Sequence, residues 1–126
     1  MLSTLHNRAY QDFLSLLTDL SNLIVNSQPE TNFIKTKLKF EKLKQWFEQN
    51  IARLDEADIA PAYIPRWQAI QREINREFKL LTTDVLFLAS ARQDTTKNKR
   101  LKSIANRLDK LKGYCQGLLE ETSIEE

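Results

Sequence analysis

The sequence predicts an all-α fold: a single antiparallel up-down-up-down four-helix bundle with long helices. The 126 residues include only two glycines and three prolines, too few for the many tight turns of a β-sandwich or an α/β fold. Apolar residues recur at spacings of three and four along four segments, which is the period of one helix face. With 41% hydrophobic and 29% charged residues, the composition indicates one globular domain spanning 1–126.

The first two helices are expected near 4–27 and 31–55. The first has an apolar stripe, with Tyr10 and Leu17 beside it, formed by Leu5, Ala9, Phe13, Leu16, Leu20 and Leu23. The second has its stripe at Phe33, Phe40, Leu43, Phe47, Ile51 and Leu54, with Trp46 beside it. Pro29 should separate the two helices, because the residue before a proline disfavours helical geometry, and Thr31 or Asn32 should cap the second. We expect Trp46 to contact the third helix at Ile70 or Ile74.

The third and fourth helices are expected near 65–93 and 95–121, followed by a C-terminal tail at 122–126. Pro65 suits a first helical turn, and the longer connection before it has room for an extra turn. The third stripe is Trp67, Ile70, Ile74, Phe78, Leu81, Val85 and Leu88; the fourth is Leu101, Ile104, Leu108, Leu111, Cys115 and Leu118. Gly113 and Gly117 lie one turn apart on one face, which would let a neighbouring helix approach closely.

The least polar run, from Val85 to Ala89, is far shorter than the ~20 residues of a membrane span. Val85 and Leu88 continue the third stripe, so the run is predicted to be helix and not strand. Leu86 and Phe87 fall outside the stripe. Either neighbouring helices wrap this half of the third helix, or Leu86 and Phe87 form a surface for self-association or for a partner. A monomer and a homodimer both fit these alternatives.

The chain lacks the sequence patterns of catalytic, metal and cofactor sites. His6 is the only histidine, Glu-x-x-His does not occur, and the carboxylates are expected outside the apolar stripes. We expect His6 at the surface or rim, and Cys115 as a small buried hydrophobe instead of a nucleophile. No glycine-rich phosphate loop occurs. The sequence therefore predicts a non-enzymatic protein without cofactors. The N-terminus does not read as a signal peptide, so a cytoplasmic location is expected.

The C-terminal half, roughly residues 66–119, resembles a known family. The Arg66–Trp67 pair, "TDVLFL" at 83–88, Arg92 and the Tyr114–Cys115 pair are similar to the cyanobacterial heterocyst frequency control protein PatD family. The resemblance implies a regulator that limits the proportion of cells becoming nitrogen-fixing heterocysts, with the cell-division protein FtsZ as a candidate partner. It implies no catalytic residues.

Two basic stretches supply the candidate binding residues. Residues 35–44 carry five lysines against Glu41, and residues 97–112 carry seven basic residues against Asp109. In the predicted topology both stretches begin at one end of the bundle, where they oppose the helix dipoles, and this favours an acidic partner surface or peptide. The candidates are Lys35, Lys37, Lys39, Lys42, Lys44, Arg92, Lys97, Lys99, Arg100 and Lys102.

Two other interpretations of these lysines stay open. They could form only a solvated face that keeps the protein in solution. Alternatively, they could bind nucleic acid, as many developmental regulators do. The net charge of +2 is low for a nucleic-acid binder, and no helix-turn-helix with a short glycine turn is evident. The sequence therefore favours a protein partner over DNA.

Overall fold

The computed structural model describes the backbone of residues 2–26 and 29–124, and the side-chain surroundings of residues 2–25 and 34–120. Its helices are α1 (Thr4–Asn26), α2 (Pro29–Asn50), α3 (Ile64–Ser90) and α4 (Asp94–Ile124). A 3₁₀ turn, Pro61–Tyr63, lies at the end of the connection between α2 and α3, which the sequence indicated had room for an extra turn. These ranges contain no strand, so the predicted all-α fold is confirmed.

The helix ends differ from the prediction by a few residues. Helix α2 begins at Pro29, so Thr31 and Asn32 lie inside it and neither is its cap. Proline is tolerated in a first turn, where its missing N–H has no intrahelical partner to lose. Helix α2 ends at Asn50, before turns that include Asp58 in the left-handed region (φ 64°). Helix α4 continues to Ile124, through most of the predicted tail.

Each helix packs against two others: α1 and α3 both contact α2 and α4. Along the α3–α4 interface, Asp84 contacts Ser103, whereas Glu77, two turns earlier in α3, contacts Lys110, later in α4. Residues that come later in α3 therefore contact residues that come earlier in α4. Helices α2 and α3 meet least extensively, which leaves a groove between them.

Aromatic rings join α1, α2 and α3 in the core. The Phe47 ring of α2 stacks on Phe78 of α3 with centroids 3.9 Å apart, and Phe13 of α1 lies 5.3 Å from Phe47. Trp46 stacks with Phe13 of α1 at 6.0 Å. Phe40 and Phe47 form aromatic contacts with Phe78 of α3, and the contact of Trp46 with Ile70 or Ile74 stays a prediction. Phe33, predicted to start the α2 stripe, lies outside the residues whose side chains are described.

The buried face of α1 is rotated from the predicted stripe. Leu5 is 68% exposed and Leu16 only half-buried, whereas Tyr10 and Leu17 are fully buried. The prediction for Leu5 is wrong because α1 has apolar residues around more than half of its circumference, and spacing alone does not select among them. Tyr10 turns inward because its hydroxyl has partners on α3.

The stripes of α3 and α4 match the prediction closely. Both are buried along their length, with only Ile70 and Leu101 half-buried. The close approach that Gly113 and Gly117 would allow does not occur within the described residues, where no neighbouring atom lies within 4 Å of a Cβ built at either position. Both glycines therefore lie on the outer side of α4. No helix within the described ranges has the length and hydropathy that crossing a bilayer requires.

Candidate protein-interaction surface

The five lysines of α2, Lys35 to Lys44, are all exposed. Among the described residues none of them forms an ion pair, whereas arginines elsewhere in the chain do. They occupy two sides of the helix. Lys44 lines the groove beside α3, and Lys37 precedes it by two turns. The remaining three lie on the register of Trp46, which faces α1: Lys35, Lys39 and Lys42.

The basic residues of α4 are arranged differently, because several contact carboxylates of α3. Arg107 donates to Asp84 at 2.6 Å and to Glu77 at 3.1 Å. Arg100 lies 3.5 Å from Asp84, and its guanidinium sits 4.5 Å from the centroid of the Phe87 ring. The guanidinium of Arg100, a predicted partner-binding residue, is thus already engaged within the chain.

The remaining candidates lie around the start of α4. Arg92, Lys99 and Lys102 are exposed, and Lys97 is half-buried in the first turn, where its backbone N–H donates to Gln93. Arg92 follows the end of α3 and is close in sequence to this turn. Some candidates on α4 are therefore exposed while others contact the rest of the chain, whereas all five candidates on α2 are exposed.

The sequence does not reveal the buried carboxylates Glu77 and Asp84. Both residues lie outside the apolar stripe of α3, as expected, yet their side chains are only 3% and 6% exposed. Burial alone would lower the pKa of Arg107, but hydrogen bonds to Asp84 and Glu77 and their charges raise it. A signal was present: Glu77 and Asp84 are seven residues apart on α3, as are Arg100 and Arg107 on α4. Equal spacings on adjacent helices allow ion pairs in register.

Leu86 and Phe87 are both exposed, at 63% and 48%, but they lie on different faces of α3. Phe87 faces α4, where Arg100 covers part of its ring. Leu86 follows Thr82 by one turn and continues the wall of the α2–α3 groove. Neighbouring helices do not wrap these two residues, and self-association through them stays a prediction.

The α2–α3 groove is a cavity of about 490 Å³. The Phe47–Phe78 stack forms its floor, and the small side chains Ala52, Asn75 and Thr82 leave the space above it. Lys44 stands on the α2 wall and Lys79 on the α3 wall. The groove therefore combines an apolar floor with cations on both sides.

His6 is buried, 2% exposed, so the prediction of a surface or rim position is wrong. Its Nε2 lies 2.8 Å from the carbonyl oxygen of Asp55, and its Nδ1 is hydrogen-bonded to the Ser3 hydroxyl. The ring also meets Trp67 edge-on at 5.7 Å. His6 is buried because the turn after α2 folds over the start of α1, a contact that local sequence spacing does not encode.

A polar network continues inward from His6. The Tyr10 hydroxyl donates to Gln71 at 2.7 Å and accepts from the Trp67 indole at 2.8 Å, while the Gln71 amide donates to the Ile51 carbonyl. Burial raises the pKa of Tyr10. These bonds tie α1, α3 and the end of α2 together, and the groups involved satisfy one another.

Cys115 is fully buried, as predicted, and burial raises the pKa of its thiol to about 12. A thiol in this setting is protonated at neutral pH and shielded from reagents. Within residues 2–26 and 29–124, no three His, Cys, Asp or Glu side chains form a group suited to a metal ion. The most conspicuous surface features are instead the α2 lysines and the adjoining groove.

The chain is thus a helical bundle in which the exposed lysines of α2, which form no ion pairs with described residues, lie beside an apolar groove. Comparison with protein-family models, with curated proteins and with solved structures yields no match to this chain.

Proposed function

We propose that this chain is a non-enzymatic regulatory protein that acts by binding another protein, and that the α2 lysines attract an acidic segment of that partner. The observation that carries the proposal is the contrast between two basic helices. Arg100 and Arg107 of α4 contact carboxylates of α3, whereas the lysines of α2 are exposed and free of ion pairs within the described structure. Unpaired clustered cations accelerate association with an acidic surface.

Apolar side chains among the lysines favour a protein partner over nucleic acid. Ile34 and Leu38, one turn apart on α2, are 64% and 57% exposed. Phosphate backbones gain little from such side chains, whereas protein interfaces combine them with charges at the rim.

The resemblance to the PatD family suggests the process. On that basis we propose a cytoplasmic regulator of heterocyst frequency and cell differentiation in cyanobacteria, with the cell-division protein FtsZ as the candidate partner. A regulator of this type would alter the assembly or activity of its partner through binding alone, without a cofactor.

The test is a binding titration of the purified chain against purified cyanobacterial FtsZ and, separately, against duplex DNA, each at low and high salt. We expect saturable FtsZ binding that weakens with salt, and a further loss of at least about tenfold (1.4 kcal/mol) in the variant Lys37→Glu with Lys44→Glu. Tight DNA binding with a steep salt dependence would support the nucleic-acid alternative instead. Absence of FtsZ binding would remove FtsZ as the partner.

A further inference from the structure

We propose that the α2–α3 groove binds an acidic amphipathic helix of a partner protein, about three turns long. This inference deepens the proposed function and rests on it, because it assigns the place and the shape of the partner segment. The evidence is the chemistry of the groove, its length and the distribution of charge along its walls.

The floor and walls of the groove suit an apolar helix face. The stacked rings of Phe47 and Phe78 lie at the bottom, 5% and 4% exposed, beneath a cavity of about 490 Å³. On the α3 wall, Leu86 continues the line of Thr82 and is 63% exposed. Apolar anchors spaced by three and four residues on a partner helix could occupy such a groove.

The dimensions set the length of the occupant. The lining residues of α3 run from Asn75 to Thr82, and exposed Leu86 follows one turn later on the same side of the helix. From Asn75 to Leu86 there are eleven residue steps, or about 16 Å at 1.5 Å per residue. A helix of about three turns has the same length. On α2, Lys44 lines the groove and Lys37 precedes it by two turns, with Glu41 between them, so a partner helix that extends along α2 beyond the lining would pass both lysines.

The positive charge along the groove favours an acidic helix as its occupant over a second copy of this chain. Lys44 and Lys79 stand on opposite walls, and Glu48 is the only acidic residue in the described lining. The outer face of α3 beside the groove adds Arg72, which is exposed. Two copies joined through this face would bring cations against cations, whereas aspartates or glutamates on a partner helix would lie beside lysines on both sides.

The probe is a synthetic peptide of about 14 residues with leucines at helical spacing and glutamates elsewhere. Two control peptides are a scrambled sequence of the same composition and a version with lysine in place of every glutamate. Backbone amide NMR shifts of the full-length chain report where each peptide binds. We expect saturable shifts around Ala52, Asn75 and Thr82 with the acidic amphipathic peptide, and at least tenfold weaker binding of both controls.

Matched variants separate groove binding from general attraction to α2. Lys44→Glu with Lys79→Glu alters the groove, whereas Lys35→Glu with Lys42→Glu makes the same change in net charge on the side of α2 that faces α1. We expect the groove pair to weaken peptide binding at least tenfold and the control pair less than threefold. Equal losses, or shifts centred away from the groove, would overturn the groove inference.

The two proposals fail in distinguishable ways. If the acidic peptide does not bind the groove but FtsZ binding still depends on Lys37 and Lys44, the groove inference is wrong and the proposed function stands. If the peptide binds the groove while neither salt nor lysine reversal affects any FtsZ interaction, the proposed function fails in its choice of partner.

Discussion

At the residue scale, Arg107 has the clearest structural role of any charged side chain in α4. It bridges Asp84 and Glu77, two carboxylates that are nearly inaccessible to solvent, while Ser103, Arg100 and Lys110 make further contacts with them. Carboxylates buried without partners are costly, so the cations of α4 are needed where they are. These cations hold α3 against α4, whereas the α2 lysines form no ion pair with any described residue.

Replacing Arg107 by methionine should therefore destabilise the fold. We expect a loss of about 3 kcal/mol in the free energy of unfolding, near the low end for broken buried pairs, because Arg107 is 24% exposed and other partners remain. Urea denaturation of wild type and variant measures this. In the control, adding Glu77→Gln and Asp84→Asn to Arg107→Met should recover part of the loss. A loss below about 1 kcal/mol for Arg107→Met alone would be typical of a surface ion pair and would contradict the assignment.

Because the thiol of Cys115 is buried, the free energy of unfolding should fall as the pH rises through the alkaline range. Its folded pKa of about 12 lies above the ordinary value of 9.0, so the contribution of the neutral thiol is fully present below pH 9 and is lost as the pH rises toward 12. Between these values the difference in unfolding free energy between wild type and Cys115→Ala should shrink by up to about 1.4 kcal/mol per pH unit. Urea denaturation at pH 7, 9 and 10.5 would show it. A constant difference would indicate that the thiol is not buried.

At the element scale, α4 contains two glycines that nothing in the described structure requires. No neighbouring atom lies within 4 Å of a Cβ built at Gly113 or Gly117, and neither residue has a positive φ. Gly113→Ala and Gly117→Ala should each raise the free energy of unfolding by about 1 kcal/mol, the helix-propensity difference. Thermal denaturation of each variant tests this. A destabilised alanine variant would mean that another helix or a second copy approaches this side of α4.

Replacing Phe87 on α3 tests whether its ring belongs to the core. Because the ring is 48% exposed and is covered partly by Arg100, Phe87→Ser should stay folded and lose only about 1 kcal/mol, mainly the cation–π contact. Phe78→Ala, the buried comparison, should lose about 3–5 kcal/mol. Circular dichroism during heating distinguishes the two outcomes. An unfolded Phe87→Ser protein would show that the ring belongs to the core.

The sequence predicts which residues of a helix are buried more accurately when the apolar stripe of that helix is narrow. In α3 and α4 the stripes are narrow, and the buried apolar residues follow them, from Trp67 to Leu88 and from Ile104 to Leu118. In α1 apolar residues surround much of the helix, and the hydrogen bonds of Tyr10 to distant residues set the buried face. His6 is buried for a similarly distant reason, its bond to Asp55. Periodicity reports local order and cannot report such partners.

At the scale of the whole molecule, sequence predicts the candidate surface only in part. The five α2 lysines are evident from composition, and the structure leaves them exposed. The groove beside them depends on how closely α2 approaches α3 and on small side chains such as Ala52 and Thr82, which no motif marks. The division between paired arginines and unpaired lysines likewise depends on which helices are neighbours. The candidate surface is therefore defined only in the folded chain.

The most direct test of the central claim is site-specific photocrosslinking in a cyanobacterial host. A photoreactive amino acid replaces exposed Leu38 on α2 or, as control, exposed Gln116 on α4, each with and without Lys37→Glu and Lys44→Glu. We expect one discrete protein adduct from Leu38 that disappears with the lysine reversals, and no comparable adduct from Gln116. Equal adducts from both positions, or an adduct at Leu38 that survives the reversals, would contradict the claim that the α2 lysines are the docking surface.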